Sequence, residues 1–235
     1  TSPCVRRIRC LTSQFGSMGK PYNAGISAAN GVECATLAGL GFTSAHDGLM
    51  GHQGFVGAHL PSGGAVTGPD LALDSYKFPD NKYKLHACCH GLHPMIEALQ
   101  ASEEAAGVTL DDIKSFSLST NPRWLAVCDI KRPRTGLEVK FSYHWLAGMT
   151  LRGDNTGDDR LFTDTIAEEA ELGRFAERIS VTGDDQLTDL QARGEISLTD
   201  GRAIPVWFDL ADPLAPEVIA EKLKRKSTTI IGDAG

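Results

Sequence analysis

Two short stretches of the chain gather residue types that do chemistry. In FGSMGKPYNAG, residues 15–25, three glycines let the backbone turn sharply or approach a ligand closely. The helix-like sequence that follows presents unpaired N–H groups and a positive dipole end, and Lys20 adds a mobile cation. Together these suit an anion. A tight turn with an exposed lysine fits the same spacing. A phosphate P-loop does not, because Gln14 stands where that motif needs glycine and Pro21 where it needs Ser or Thr.

In KLHACCHGLHP, residues 84–94, His86, Cys88, Cys89, His90 and His93 crowd together. Imidazole and thiolate are the usual ligands of zinc. The spacing is poor for it, since adjacent Cys88 and Cys89 point apart in extended backbone and no distant Cys-x-x-Cys or His-x-x-x-His pair completes a set. Two readings stay open beside it: a loop whose His and Lys side chains face a polar substrate, and packed cysteines with incidental surface histidines. His46, His52, His59 and His144 are scattered singly, and no Gly-x-Ser-x-Gly signature supports a serine hydrolase. Trp124, Trp145 and Trp207 read as core or rim, and no cofactor-binding box is visible.

The elements that position these stretches follow from periodicity. Ile26, Ala29, Val32, Leu37 and Leu40 trace one face of a small-residue helix over 22–40, stopped by Gly39 and Gly41. A short helix opened by Thr43 or Ser44 is expected next, then a Gly- and His-containing loop, with 61–80 loop-like. Pro94 suits the first turn of a helix through MIEALQASEEAA. Beyond Gly107 the period changes. Ser115, Ser117 and Ser119 alternate with Phe116 and Leu118 as in a strand, Leu137, Phe141 and Trp145 return to helical spacing, and 178–182 reads as strand. EISLT-DG-RAIPVWF is a hairpin with a two-residue Asp200-Gly201 turn, its Pro205 strand lying at an edge or carrying a bulge. A final helix runs about 217–226. The fold class is α+β, with the chain divided into 1–107, a partial helical domain carrying the active-site loops, 108–216, a smaller α+β lid, and 217–235, a returning helix and tail. The helical piece is too thin to bury its own face, so another segment or subunit is expected to cover it, and neither end reads as a domain boundary.

Composition narrows the function classes. The chain has 235 residues, 41% of them hydrophobic, which suffices for a packed core. A net charge of −7 argues against non-specific nucleic-acid binding. The basic runs at Arg6–Arg9 and Lys222–Lys226 read as solvated or frayed ends. No apolar stretch is long enough for a membrane span and no secretion signal is visible. Six cysteines, Cys4, Cys10, Cys34, Cys88, Cys89 and Cys128, lack the spacing of a disulfide framework, so a reducing cytoplasm is expected.

Read in order, the motifs resemble the MmgE/PrpD family, whose members include 2-methylcitrate dehydratase, cis-aconitate decarboxylase and iminodisuccinate epimerase. The resemblance rests on G-S-M-G-K-P-Y-N-A-G-I-S-A-A-N-G-V-E from Gly16, A-x-L-A-x-x-G-F-T to Thr43 and G-H-Q-G-F from Gly51. It continues with K-x-x-x-C-C-H-x-x-H-P from Lys84, G-L-E-V-K-F-S-Y from Gly136, and T-D-G-R followed by D-P-L-A-P. It implies an all-helical domain with a smaller α+β lid, and a metal- and cofactor-free enzyme acting on a small di- or tricarboxylate as dehydratase, epimerase or decarboxylase. Two lysines facing the substrate carry over to Lys20 and Lys84 as catalytic candidates. Ser17, Met18 and Gly19 of the loop, and His90 and His93 by proximity, carry over as substrate-binding candidates. Family members are roughly twice this length. Their amino-terminal helical half supplies an Asp and His residues, so a homodimer partner or a complementing amino-terminal half is the expected source of the proton-transfer group. Ala87 replaces the usual proline after the second lysine. A truncated, non-catalytic carboxylate- or partner-binding remnant is the rival expectation.

Overall fold

Strand β1 (Ile113–Thr120) forms because its apolar residues alternate. Phe116, Leu118 and Thr120 point into the core, and a register shift between Ile113 and Ser115 lets Ile113 join them while Lys114 and Ser115 both stay exposed. In the computed structural model of the chain, which describes residues 16–51, 54–59 and 82–232, β1 is a central strand. It pairs in parallel with β2 (Ile179–Gly183) and antiparallel with β3 (Gln191–Leu198), which pairs antiparallel with β4 (Ala203–Asp209). The sheet order is β2-β1-β3-β4. Pro205, which has no N–H for a ladder, duly lies in the edge strand β4, opposite Glu195.

The β3–β4 turn differs from expectation. Ser197 pairs with Ala203 and the Leu198 N–H donates to Arg202 O at 2.8 Å, so three residues, Thr199 to Gly201, make the loop. Gly201 takes φ +90°, the left-handed residue that a turn-plus-bulge connection needs, and one such residue serves three-residue loops whereas a two-residue type I′ turn needs two.

The long connection from β1 to β2 carries the short helices α4 (Leu125–Cys128), α5 (Gly136–Val139), α6 (Tyr143–Leu151), α7 (Asp164–Ala167) and α8 (Ala170–Ala176). Helix α3 (His93–Ala101) precedes the sheet and α9 (Pro216–Ile231) follows it. Helices α3 and α6 lie in the core. Met95, Ile96 and Leu99 of α3 pack in one cluster with Phe116, Leu146, Met149, Ile196 and Val206, so residues on both sides of position 107 share that core. Ser142 caps α6 by accepting from Trp145 N–H at 3.2 Å, and Thr135 caps α5 by accepting from Glu138 N–H at 3.2 Å. The two caps fix the short Lys140–Phe141 turn between these helices. The observed class is α+β.

Contacts divide the chain into two compact units, one of them residues 22–82. Helix α1 (Gly19–Gly39) has no buried residue, and Val32 and Leu40 are exposed. It ends as expected, with Gly41 and Phe42 N–H groups folding back to Ala38 O and Leu37 O. The helix expected at Thr43 or Ser44 forms instead as α2 (Phe55–His59), because Asp47 accepts from Met50 N–H and holds residues 46–50 in turns. The amino-terminal basic run with Cys4 and Cys10, His52, and the loop expected over 61–80 lie outside the described residues. No described helix is long and apolar enough to cross a membrane.

Candidate functional site

The Gly16–Pro21 loop and the Lys84–Cys89 segment, far apart in sequence, line one cavity of about 390 Å³. Two backbone bonds pin the second segment: Ala87 N–H donates to Thr156 O at 2.8 Å and Cys89 N–H to Lys140 O at 2.9 Å. Gly16 admits the first. Its φ is +78°, in the left-handed region that favours glycine, and a Cβ there would press on α5 at 3.1 Å from Glu138 Cγ. Ser17 then accepts from Gly19 N–H at 3.2 Å at the start of α1.

The structure thus brings Ser17, Lys20 and Lys84 together and adds two lysines that sequence reasoning missed. Lys140 enters from the α5–α6 turn and Lys226 from α9. Among the described lining residues, four lysines face one carboxylate, Asp159, which is ion-paired with Lys140. Aromatic rings hold two of the ammonium groups: Lys20 Nζ lies 4.8 Å from the centre of the Phe141 ring and Lys140 Nζ 5.0 Å from that of Phe162. Lys226 donates to the backbone carbonyl of Lys84. Burial and the neighbouring Lys84 charge lower its pKa. Leu137, Phe141 and Ile230 supply apolar wall.

Lys226 corrects the reading of Lys222–Lys226 as a solvated or frayed run. Lys222, Lys226 and Ile230 recur every four residues and so share one face of α9, which lies over the site. That spacing was the signal available in the sequence.

The remaining sequence candidates fall elsewhere. Met18 is exposed, and neither it nor Gly19 lines the cavity. His90 and His93 do not line it either. His93 is buried, its ring 4.9 Å from that of His86 and 5.0 Å from that of His90, and among the described residues its Nε2 has no hydrogen-bond partner. Desolvation, aided by the charges of the neighbouring histidines, lowers its pKa to about 2, so it is neutral.

A second cavity, of about 260 Å³, adjoins the first and shares His86 and Lys226 with it. Here the buried carboxylate is fully paired. Glu97, 3% exposed, takes His86 Nε2 at 3.0 Å on one oxygen and Lys222 Nζ on the other. Burial opposes its ionisation, but those two hydrogen bonds and the Lys222 charge hold its pKa below the usual range. Desolvation also lowers His86, whose Nδ1 lies 2.7 Å from Thr156 Oγ1. A neutral His86 beside an ionised Glu97 carries its proton on Nε2, so Nδ1 accepts from the Thr156 hydroxyl.

The cysteines are not equivalent. Cys88 and Cys89 both line the lysine cavity. Burial pushes the Cys88 thiol up to about 12. Cys89 shifts down, chiefly through the adjacent Cys128 thiol, and against desolvation Lys20 and Lys84 add positive potential. Among the described residues no group of three or more His, Cys, Asp and Glu is disposed to hold a metal ion.

A family model, the MmgE/PrpD C-terminal domain, matches residues 86–234. The matched span holds Cys89, Lys140, Asp159 and Lys226, while Lys84 lies just before it and Lys20 far upstream of it. No curated protein sequence matches the chain.

Proposed function

The chain belongs to the MmgE/PrpD family, and from that premise we propose that its lysine cavity binds a small di- or tricarboxylate for a dehydratase-like elimination begun by proton abstraction next to a carboxylate. The observation that carries the reading is the gathering of Lys20, Lys84, Lys140 and Lys226 around one cavity with, among the described lining residues, one already paired carboxylate. Removing a proton beside a carboxylate builds negative charge on an already anionic molecule. Fixed ammonium groups at the carboxylate oxygens then stabilise the transition state more than the ground state. Lys20 and Lys84 are the residues proposed for that role, with Ser17 at the mouth and Lys140 and Lys226 beside them. Loss of carbon dioxide leaves a related carbanion, and reprotonation on the other face consumes one, so decarboxylase and epimerase are alternatives within the proposal.

The proton-transfer group is proposed to come from another segment or subunit. Among the described lining residues, His86 has both ring nitrogens engaged and Asp159 is paired with Lys140. Exposed Val32 of α1 and Leu40 just after it suit a partner, whether a second copy or a complementing helical half. The proposal includes the family's arrangement of an all-helical domain and a lid.

The test is turnover of methylcitrate, cis-aconitate and iminodisuccinate by the purified protein, alone and with an added family amino-terminal half. Turnover that appears with the added half and falls at least about tenfold in Lys20→Ala supports the proposal. Carboxylate binding without turnover in either arrangement leaves a non-catalytic carboxylate-binding remnant.

A further inference from the structure

Helix α9 brings Lys226 to the lysine cavity, yet it has no buried residue, so apolar packing does little to seat it. Polar contacts recur along its inward face instead. Lys222 Nζ donates to Glu97, Lys226 one turn on donates to Lys84 O, and Thr229 Oγ1 lies 3.3 Å from Asn155 Nδ2. Of these contacts only the first joins a charge on α9 to a buried opposite charge. Its anchor is rigid. Glu97 sits in the core helix α3 and accepts on its other oxygen from His86 Nε2–H at 3.0 Å, and the far side of that ring is held by Thr156 Oγ1 at 2.7 Å. Breaking the Lys222 bond would leave a buried carboxylate without its strongest partner, so the contact is costly to lose. Lys226 meanwhile stands against the like charge of Lys84, and repulsion favours its departure once α9 is loosened. Lys222 lines only the smaller cavity.

We infer that Lys222 is a positioning residue for the carboxylate site: its ion pair with buried Glu97 seats α9 so that Lys226 stands in the lysine cavity. The inference rests on the reading of this cavity as a carboxylate site. Lys222 does not touch the ligand. It acts through the helix, because residues four apart share a face and the turn fixed at Lys222 fixes the next one at Lys226. The smaller cavity thereby sets the geometry of the larger, and the two basic residues of one run have different tasks. Lys222 holds the helix, and Lys226 meets the anion.

The test is a double-mutant cycle on the whole protein, with citrate as the probe, calorimetric affinity as the readout and denaturant midpoints to show that each variant is folded. Lys226→Met is expected to weaken citrate binding about tenfold, and Lys222→Met nearly as much. The double variant should bind within about twofold of Lys226→Met, because both substitutions remove the same contact. Lys222→Arg keeps the charge and the pairing and should restore most of the affinity. Lys224→Met takes the same charge from α9 at a position lining neither cavity, and should cost about twofold or less. In the wild-type protein, which needs no variant to fold, citrate should slow amide exchange along α9. Weakenings that multiply in the double variant, a Lys222→Met protein that binds like wild type, or a Lys224→Met protein as impaired as Lys222→Met overturns the inference. So does citrate that binds the wild-type protein without slowing exchange in α9. In each of these cases the carboxylate reading stands. Citrate that fails to bind the folded wild-type protein sinks that reading itself.

Discussion

Two cavities meet at His86 and Lys226, and they are built on opposite electrostatic principles. In the smaller one each oxygen of Glu97 has its own partner, His86 or Lys222, and His86 is anchored on its far side by Thr156. In the larger one four lysines converge with one lining carboxylate among the described residues. A buried group with its partners in place needs nothing more, whereas like charges gathered around an open space repel until an anion arrives. The first arrangement is structural, and the second is the one proposed to bind a ligand. A fold that holds its lysines in place by caps, ring contacts and a backbone bond tolerates that repulsion in exchange for preorganised binding.

Substitutions should separate the two cavities. Glu97→Ala strands His86 and Lys222 beside a void and is expected to lower stability by about 3 kcal/mol, read as a shift of the denaturant midpoint at unchanged slope. Lys84→Ala should leave that midpoint nearly unmoved while weakening tricarboxylate binding by about tenfold to a hundredfold in a calorimetric titration. If the two variants exchange effects, the division of roles is wrong.

The pH dependence tests the neutral histidines beside the paired cavity. His93 titrates near 6.5 when unfolded and near 2 when folded, so between these values the unfolded chain holds a proton that the native state lacks. Stability is then fully present above pH 6.5 and falls as pH drops, by ~1.4 kcal/mol per pH unit for one such group. His86, also lowered, adds to the fall, and Glu97 adds to it below its ordinary 4.5. Equilibrium unfolding at a series of pH values should show that slope, and His93→Phe should flatten it. A stability that rises on acidification contradicts the assignment. The smallest effect is expected at Asp159→Asn. It releases Lys140 toward the ligand and should tighten tricarboxylate binding by about threefold, the scale of one exposed ion pair. Weaker binding in this variant would mean that Asp159 orients Lys140.

The sequence is legible where one local rule decides the outcome. Serine and apolar residues alternate through β1, Pro205 belongs at an edge, and the ordered motifs pair Lys20 with Lys84. It is not legible where the outcome depends on what a segment packs against. Lys226 sits in a basic run that looks solvated until α9 is laid over the Lys84–Cys89 segment, and Lys140 faces the cavity only because two capped helices turn it there. His93, expected to face a polar substrate, is buried against two other histidines. The three-residue β3–β4 turn differs from a two-residue one by a single shift of register, which strand alternation on either side does not fix.

The central claim is that the four-lysine cavity is a carboxylate site. Its most direct measurement is a calorimetric titration of citrate at low salt into the wild-type protein and into Lys84→Ala/Lys226→Ala, with denaturant midpoints to show that both are folded. The predicted result is saturable one-to-one binding that weakens as salt rises and is abolished in the double variant. Citrate that fails to bind the folded wild-type protein, or binds the double variant as tightly, would contradict it.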